Sequence, residues 1–351
     1  MKFTIPKEYD YSVSTEENYR SDKITFVGRH RRQRKKLDYT YHRHYQASRQ
    51  LLHDEIIDKY SQVEIDDGVY TCEVPEENWL VFTAGPMGVG KSHALRHLHE
   101  LGVFPLKAFV YIDPDELRMN LPEFRGYNDR DPATAGKLTQ KEVGYLSEVM
   151  TLNALEEGKN ALVDGSLRDK EWYDSYISKL KHLFPKLKIA IIQITASKEN
   201  VLTRAQKRAE TTGRHVPEHV ILSAMNDVPS SVEALQRYAD FTAIFNNDEA
   251  PQLVRSSSGL QSLEEFKDVW KMTCRLNQPN IRLGSKRSVS ESYDEYSPGN
   301  SDSESSRDHH PSRKNSYLGI EEMFEQCRDS DPLSSISCAN PQESTSLLAL
   351  P

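Results

Sequence analysis

Gly85-Pro-Met-Gly-Val-Gly-Lys-Ser92 fits the pattern G-x-x-x-x-G-K-[ST], and its flanks decide how it folds. WLVFTA (79–84) before it is an apolar run that reads as a buried strand, and HALRHLHEL (93–101) after it continues as a helix. Strand, tight turn and helix in that order make a cradle for polyphosphate. Many N–H donors must converge from the turn, and Gly85, Gly88 and Gly90 let the backbone bend and approach closely. A helix opening near Lys91 aims its positive end at the anion. In such a cradle Lys91 reaches the β- and γ-phosphates and the Ser92 hydroxyl ligates Mg²⁺, with Pro86, Met87 and Val89 completing the nucleotide-binding turn. The other reading is a glycine-rich turn without ligand, and the flanking strand and helix weigh against it. The turn alone specifies a nucleotide, ATP or GTP, and no reaction.

Outward from this turn, strand-like and helix-like stretches alternate. AFVYID (108–113), ALVDGS (161–166), KIAIIQIT (188–195) and FTAIFNN (241–247) read as strands. Helices are expected over 141–157, 170–183 and 198–210, with another that Pro217 opens at its first turn. The alternation predicts an α/β, three-layer P-loop fold with a mostly parallel sheet and right-handed crossovers. Apolar runs in place of strict alternation suit strands covered on both faces.

Hydrophobic residues make up 37% and charged residues 28% of the 351, which is apolar-poor for a chain ordered throughout. Five segments are expected: a polar and basic arm (1–40), a helical extension (41–75), the P-loop kinase domain (76–250), a second helical extension (251–283) and a Ser-rich disordered tail (284–351). In the extension Tyr45, Leu51, Leu52, Ile56 and Tyr60 recur at helical spacing. The net charge of −8 gives no general drive toward nucleic acid. Cys72, Cys274, Cys327 and Cys338 show neither zinc-ligand spacing nor a disulfide framework, which fits a reducing compartment. The opening MKFTIPKEYDYS carries charge where a signal peptide needs an apolar stretch, and no run approaches the 18 or so apolar residues of a span. A soluble cytoplasmic protein without membrane contact is expected. Arg29–Lys36 reads equally as a nuclear-localisation run or a solvated charge run. Lys286-Arg-Ser288 and Arg313-Lys-Asn-Ser316 in the tail resemble basophilic kinase sites, through which protein partners would act.

The strand ends carry the candidate chemistry, because ligands of open α/β sheets sit beyond the strands' carboxyl ends. Asp113-Pro-Asp115-Glu116-Leu-Arg118 follows the second strand, and Asp115 is the candidate base for an acceptor hydroxyl. The alternative is that Asp113 or Asp115 merely caps the next helix. Asp164-Gly-Ser166-Leu-Arg168 follows the third strand, where Asp164 either holds Mg²⁺ or its waters or makes a turn with Gly165. Arg204, Arg208 and Arg214 form either a lid over the nucleotide or a solvated basic face. No guanine-reading N-K-x-D element follows, which weakens a GTPase switch.

GPMGVGKS, YIDPDELR, LVDGSLR, SKENVLTRAQKR and GRHVP resemble, in order and spacing, the zeta-toxin-like P-loop kinases. That resemblance implies phosphorylation of UDP-N-acetylglucosamine or a related UDP-amino sugar, and covers about half the chain. It assigns Lys91 and Ser92 to phosphate and metal and Asp115 to base catalysis. Arg208 and Arg214 become the pair on the ATP phosphates. Arg118, Glu148, Asp164, Ser166 and Arg168 form the substrate-binding set, although Asp164 and Ser166 stand where the bacterial enzymes carry Glu and Thr. The loop 118–141 has the position of an acceptor-binding segment. Three functions follow in order: an ATP- or GTP-dependent kinase acting on a small hydroxyl acceptor, a nucleic-acid end kinase whose backbone is tracked by Arg29–Lys36, and a nucleotide-dependent binding module.

Overall fold

The computed structural model describes residues 3–63, 78–212 and 218–270. All five expected strands form. They are β1 (Trp79–Ala84), β2 (Phe109–Ile112), β3 (Asn160–Val163), β4 (Lys188–Thr195) and β5 (Phe241–Asn246), joined by β6 (Gln252–Ser256). The sheet order is β2-β3-β1-β4-β5-β6, parallel throughout except for the antiparallel β5–β6 pair. β6 is the strand the sequence hid. It is an edge strand with three of its five residues exposed, so it carries no apolar run. The segment 251–283, expected to be helical, therefore begins as a strand, continues into a helix and leaves the described residues after Trp270.

The helices are α1 (Thr15–Asn18), α2 (Arg31–Arg34), α3 (Ala47–Tyr60), α4 (Lys91–Glu100), α5 (Pro114–Met119), α6 (Phe124–Arg130), α7 (Pro132–Glu156), α8 (Lys170–Leu183), α9 (Lys198–Thr212), α10 (Glu218–Leu235) and α11 (Leu263–Val269). The stretch 118–141 is mostly helical, contrary to the expected loop. Leu121, Phe124 and Tyr127 are buried, and Ala135, Thr139, Glu142, Leu146 and Val149 form a buried stripe at spacings of three and four. Two members of that stripe are polar, so an apolar count starts α7 too late.

Helices cover both faces of the sheet. Leu80, Phe82, Val110 and Ile112 pack with α7 and α8 residues such as Val149 and Ile177. Val81, Leu162 and Ile192 point the other way, onto Leu95 and Leu98 of α4 and onto Phe266 and Trp270. Three layers result, as expected.

Residues 3–46 also differ from expectation. Where a polar and basic arm was expected over 1–40, the chain packs on α6 and α7 with Tyr19 and Arg34 almost wholly buried, and Tyr45, placed at helical spacing, is buried ahead of the helix. Arg34 donates to Asp54 at 2.7 Å, so the Arg29–Lys36 run is not solvated throughout. α3 begins at Ala47 and exposes Leu51, while Arg49 and His53 turn inward. Its buried face is partly polar, which the apolar spacing misread. The Ser-rich tail (284–351) lies outside the described residues. Among the described residues no helix is long and apolar enough to cross a membrane.

Candidate active site

β1 ends at Ala84 and α4 begins at Lys91, so residues 85–90 form the turn at the carboxyl end of the central strand. Gly88 and Gly90 hold φ of 81° and 86°, in the left-handed region that side chains disfavour. A Cβ on Gly88 would stand 2.6 Å from the Val201 carbonyl, and one on Gly90 would stand 2.6 Å from the Asn247 amide nitrogen. The turn is thus wedged between α9 and the end of β5. Met87 and Val89 are buried, and Asn247 Nδ2 donates to the Val89 carbonyl at 2.8 Å. Arg204 Nη2 donates to the Asp248 carbonyl at 2.8 Å and Nη1 to the Val89 carbonyl at 3.4 Å, which makes Arg204 a brace for the turn.

Lys91 is only 5% exposed, and its Nζ donates to the Gly85 carbonyl at 3.0 Å. Burial lowers its pKa to about 8 against the opposing pull of Asp164, while the Arg208 charge adds to the lowering. Arg208 thus lies near enough to Lys91 for its charge to be felt there. Arg214 lies outside the described residues.

Ser92 Oγ donates to Asp164 Oδ2 at 2.8 Å. Tyr111 donates its hydroxyl to the same oxygen, and Thr83 Oγ1 donates to Oδ1 at 2.8 Å. Asp164 is 1% exposed, so three hydroxyls fix a buried carboxylate that in turn aims Ser92. Among the described residues no cluster of three or more His, Cys, Asp or Glu could hold a metal ion. The donor set nonetheless fits Mg²⁺, which prefers hard oxygens and takes few protein ligands beside water and phosphate. Ser92 would supply the oxygen and Asp164 the charge behind it.

At the end of β2, Asp113 Oδ1 accepts from the backbone N–H of Asp115 at 2.8 Å and of Glu116 at 3.4 Å. Asp113 is therefore the helix cap. Burial, and then the nearby Asp164 and Asp115 charges, push its carboxyl well above the usual range. Asp115 instead meets Arg118 Nη1 at 2.9 Å. Both aspartates and Lys91 are buried, and each aspartate lies close enough to Lys91 to act on its charge.

The remaining acceptor candidates bond elsewhere. Glu148 Oε1 and His42 Nε2 lie 2.7 Å apart, and both residues are buried. Arg168 Nε donates to Asp227 Oδ2 at 2.9 Å and Nη2 to Ser223 Oγ at 3.0 Å. Ser166 offers its carbonyl to the Gly85 N–H at 3.1 Å, which ties the third strand's end to the phosphate turn. Between them Leu167 holds φ of 57°, the one positive value outside glycine among the described residues. Ser231 Oγ donates to its carbonyl at 2.6 Å, which over-determines the strained turn.

Thr83, Tyr111, Asn247 and His42 escaped the sequence reading. Tyr111 and Thr83 lie inside strands that read as apolar, where a lone hydroxyl residue carries no signal of its own.

The Zeta toxin family model matches residues 64–258. Among solved structures, the chain is similar to one from the PezAT chromosomal toxin-antitoxin system of the human pathogen Streptococcus pneumoniae. The identity is 15% and the TM-score 0.48, over 64% of this chain and 88% of that one. It is similar to the AvrRxo1-ORF1:-ORF2 complex solved with ATP, at 17% identity and a TM-score of 0.47, over 78% and 84% of the two chains. A chain of the Pnkp1/Rnl/Hen1 RNA repair complex matches at 18% identity and a TM-score of 0.34, over 47% of each. No curated protein matches the sequence.

Proposed function

Because the chain belongs to the zeta toxin family of P-loop kinases, we propose that it transfers the γ-phosphoryl group of ATP or GTP to a hydroxyl of a small acceptor. The observation that carries this reading is the burial of Asp115, 5% exposed, just past the end of β2 and close enough to the buried Lys91 to act on its charge. A bare nucleotide-binding module has no use for a second buried carboxylate there, whereas a kinase needs one to accept the acceptor's proton.

In this mechanism the turn Gly85–Ser92 holds the triphosphate with backbone N–H groups, and Lys91 pairs with its outer phosphates. Asp115 takes the hydroxyl proton as the acceptor oxygen bonds to the γ-phosphorus. The bond from that phosphorus to the bridging oxygen breaks, and its electron pair leaves with ADP or GDP. Lys91 and Arg208, joined by Arg214 from the residues outside the description, meet the charge spread over the transferring group. Mg²⁺, when bound, neutralises phosphate charge, and Ser92 oriented by Asp164 would hold it. Arg118 sets the position of Asp115, and Ser166 and Arg168 belong to the acceptor side. The family resemblance points to a UDP-amino sugar as acceptor. The burial of Arg34 in an ion pair supports a small acceptor over a nucleic-acid end, because the run Arg29–Lys36 offers no unbroken basic strip. We place the reaction in the cytoplasm.

Labelled ATP incubated with the protein and a metabolite extract should label one acceptor, identified by mass spectrometry. Asp115→Asn should keep nucleotide binding and lose transfer by roughly 10²–10⁴-fold. Normal turnover by that variant removes Asp115 from the mechanism.

A further inference from the structure

Strands send alternate side chains to opposite faces of a sheet. Val81 of β1, Phe109 and Tyr111 of β2 and Leu162 of β3 all turn to the face that α4 covers, where they pack with Leu95 and Leu98. The same alternation brings Thr83 and Asp164 to that face at the strands' carboxyl ends, beside Ser92 in the first turn of α4. In the parallel register Tyr111 stands opposite Leu162, two residues short of Asp164. Two residues of strand measure about 7 Å, a reach that a tyrosine side chain spans and a shorter one does not. The Tyr111 hydroxyl accordingly ends on Asp164 Oδ2.

Asp164 Oδ2 therefore accepts from two hydroxyls, those of Ser92 and Tyr111, while Oδ1 accepts from Thr83. A carboxylate oxygen offers about two lone-pair sites, so Oδ2 is filled. The Ser92 bond has a purpose in the chemistry proposed above, because a serine that offers its oxygen to a cation must turn its proton elsewhere. Thr83 also accepts the Gly165 N–H at 2.9 Å, which ties β1 to the end of β3. Tyr111 adds a second proton to the very oxygen that Ser92 uses. Hard cations differ in what they ask of such an oxygen. Mg²⁺ keeps several waters and takes one or two protein ligands, whereas Ca²⁺ gathers about six to eight oxygens, carboxylates among them. A carboxylate oxygen occupied by two hydroxyl protons is withdrawn from direct coordination.

We infer that Tyr111 is a positioning residue whose hydroxyl reserves Asp164 Oδ2 for Ser92, keeps that oxygen from binding a cation directly, and so makes the nucleotide site prefer Mg²⁺ to Ca²⁺. In this role Tyr111 touches neither phosphate nor acceptor and acts through Asp164 alone. The inference deepens the kinase reading: it rests on the nucleotide and metal binding of that reading and not on its transfer step.

The test is calorimetry of the full chain with a non-hydrolysable ATP analogue, at saturating Mg²⁺, at saturating Ca²⁺, and with a chelator in place of either cation. It is run on the wild type and on Tyr111→Phe, which keeps the ring in the sheet face and removes only the hydroxyl. The wild type should bind the Mg²⁺ complex more tightly than the Ca²⁺ complex. Tyr111→Phe should shrink that ratio roughly tenfold and leave the cation-free affinity unchanged. An unchanged or enlarged ratio overturns the inference. So does an equal loss of affinity in all three conditions, which marks a tyrosine that only supports the fold. A wild type that binds both complexes equally, or ignores both cations, overturns it together with the metal role of Ser92. Transfer is scored separately with labelled ATP, Mg²⁺ and a metabolite extract, and absence of labelled product there counts against the kinase reading alone.

Discussion

Lys91 is a cation held where water cannot reach it, and its pKa of about 8 reflects that cost in the free protein. A triphosphate placed against it would favour the charged form and raise that pKa again. Between about pH 8 and the ordinary lysine value near 10.4, nucleotide binding should therefore take up close to one proton. Affinity should fall as pH climbs through this window, by at most about tenfold per unit. The free protein carries the opposite trend, because its unfolded state binds the proton that the folded state has lost, so this group's contribution to stability rises with pH there. Calorimetry of ATP binding at pH 8.5 in buffers of different ionisation heat reads the uptake directly. Binding heats that do not change with buffer would show that Lys91 does not face the phosphates. At the same scale, Asp113 and Asp115 are alike in sequence, and only the direction of two backbone N–H groups separates cap from candidate base.

Between elements, α3 is fastened to α6 and α7 by charge buried out of reach of solvent. Arg49 donates to both oxygens of Glu123 at 3.0 Å, and to Glu142 at 2.5 and 2.9 Å, with all three side chains wholly buried. Tyr19 donates to Glu123 at 2.5 Å and lays its ring 4.0 Å from the guanidinium. His53 Nε2 lies 2.6 Å from Glu142 Oε1. Burial pushes His53 down to about 4 despite Glu142, so near neutrality it is uncharged and donates its Nε2–H. Burial alone would raise Glu142, but Arg49 outweighs it and holds the carboxyl far below its usual range. Arg49→Met strands two buried carboxylates and should cost about 3–5 kcal/mol, read as a lower midpoint in urea unfolding. A midpoint that does not move would mean the latch contributes nothing net. Acid should loosen the same latch. The unfolded chain protonates His53 near 6.5 and the folded one near 4, so stability should fall as pH drops through that interval. A flat stability profile from pH 7 to 4.5 contradicts this.

Across the whole molecule, what the sequence made legible is what burial and backbone geometry demand locally. Strands β1 to β5 are covered on both faces and show as apolar runs, and the glycines of the turn mark a path that side chains would block. Lys91, Ser92, Asp164 and the aspartates after β2 follow from their places at strand ends. What stayed hidden are features set by partners distant in sequence. The edge strand β6 is largely exposed, the stripe of α7 includes Thr139 and Glu142, and the inward face of α3 includes Arg49 and His53, which Glu142 answers across the two helices. Asn247 gives no local sign of bracing a turn at Val89. Glu148 carried a resemblance to an acceptor residue, yet it pairs with His42, from the segment the sequence read as a helical extension.

The central claim is that residues 85–92 take up a nucleoside triphosphate at the mouth of this sheet. Titrating ATP with Mg²⁺ into the full-length chain by calorimetry tests it most directly. One saturable site per chain is predicted, weakened at least tenfold in Lys91→Ala. Heats indistinguishable from dilution for both ATP and GTP would contradict the account.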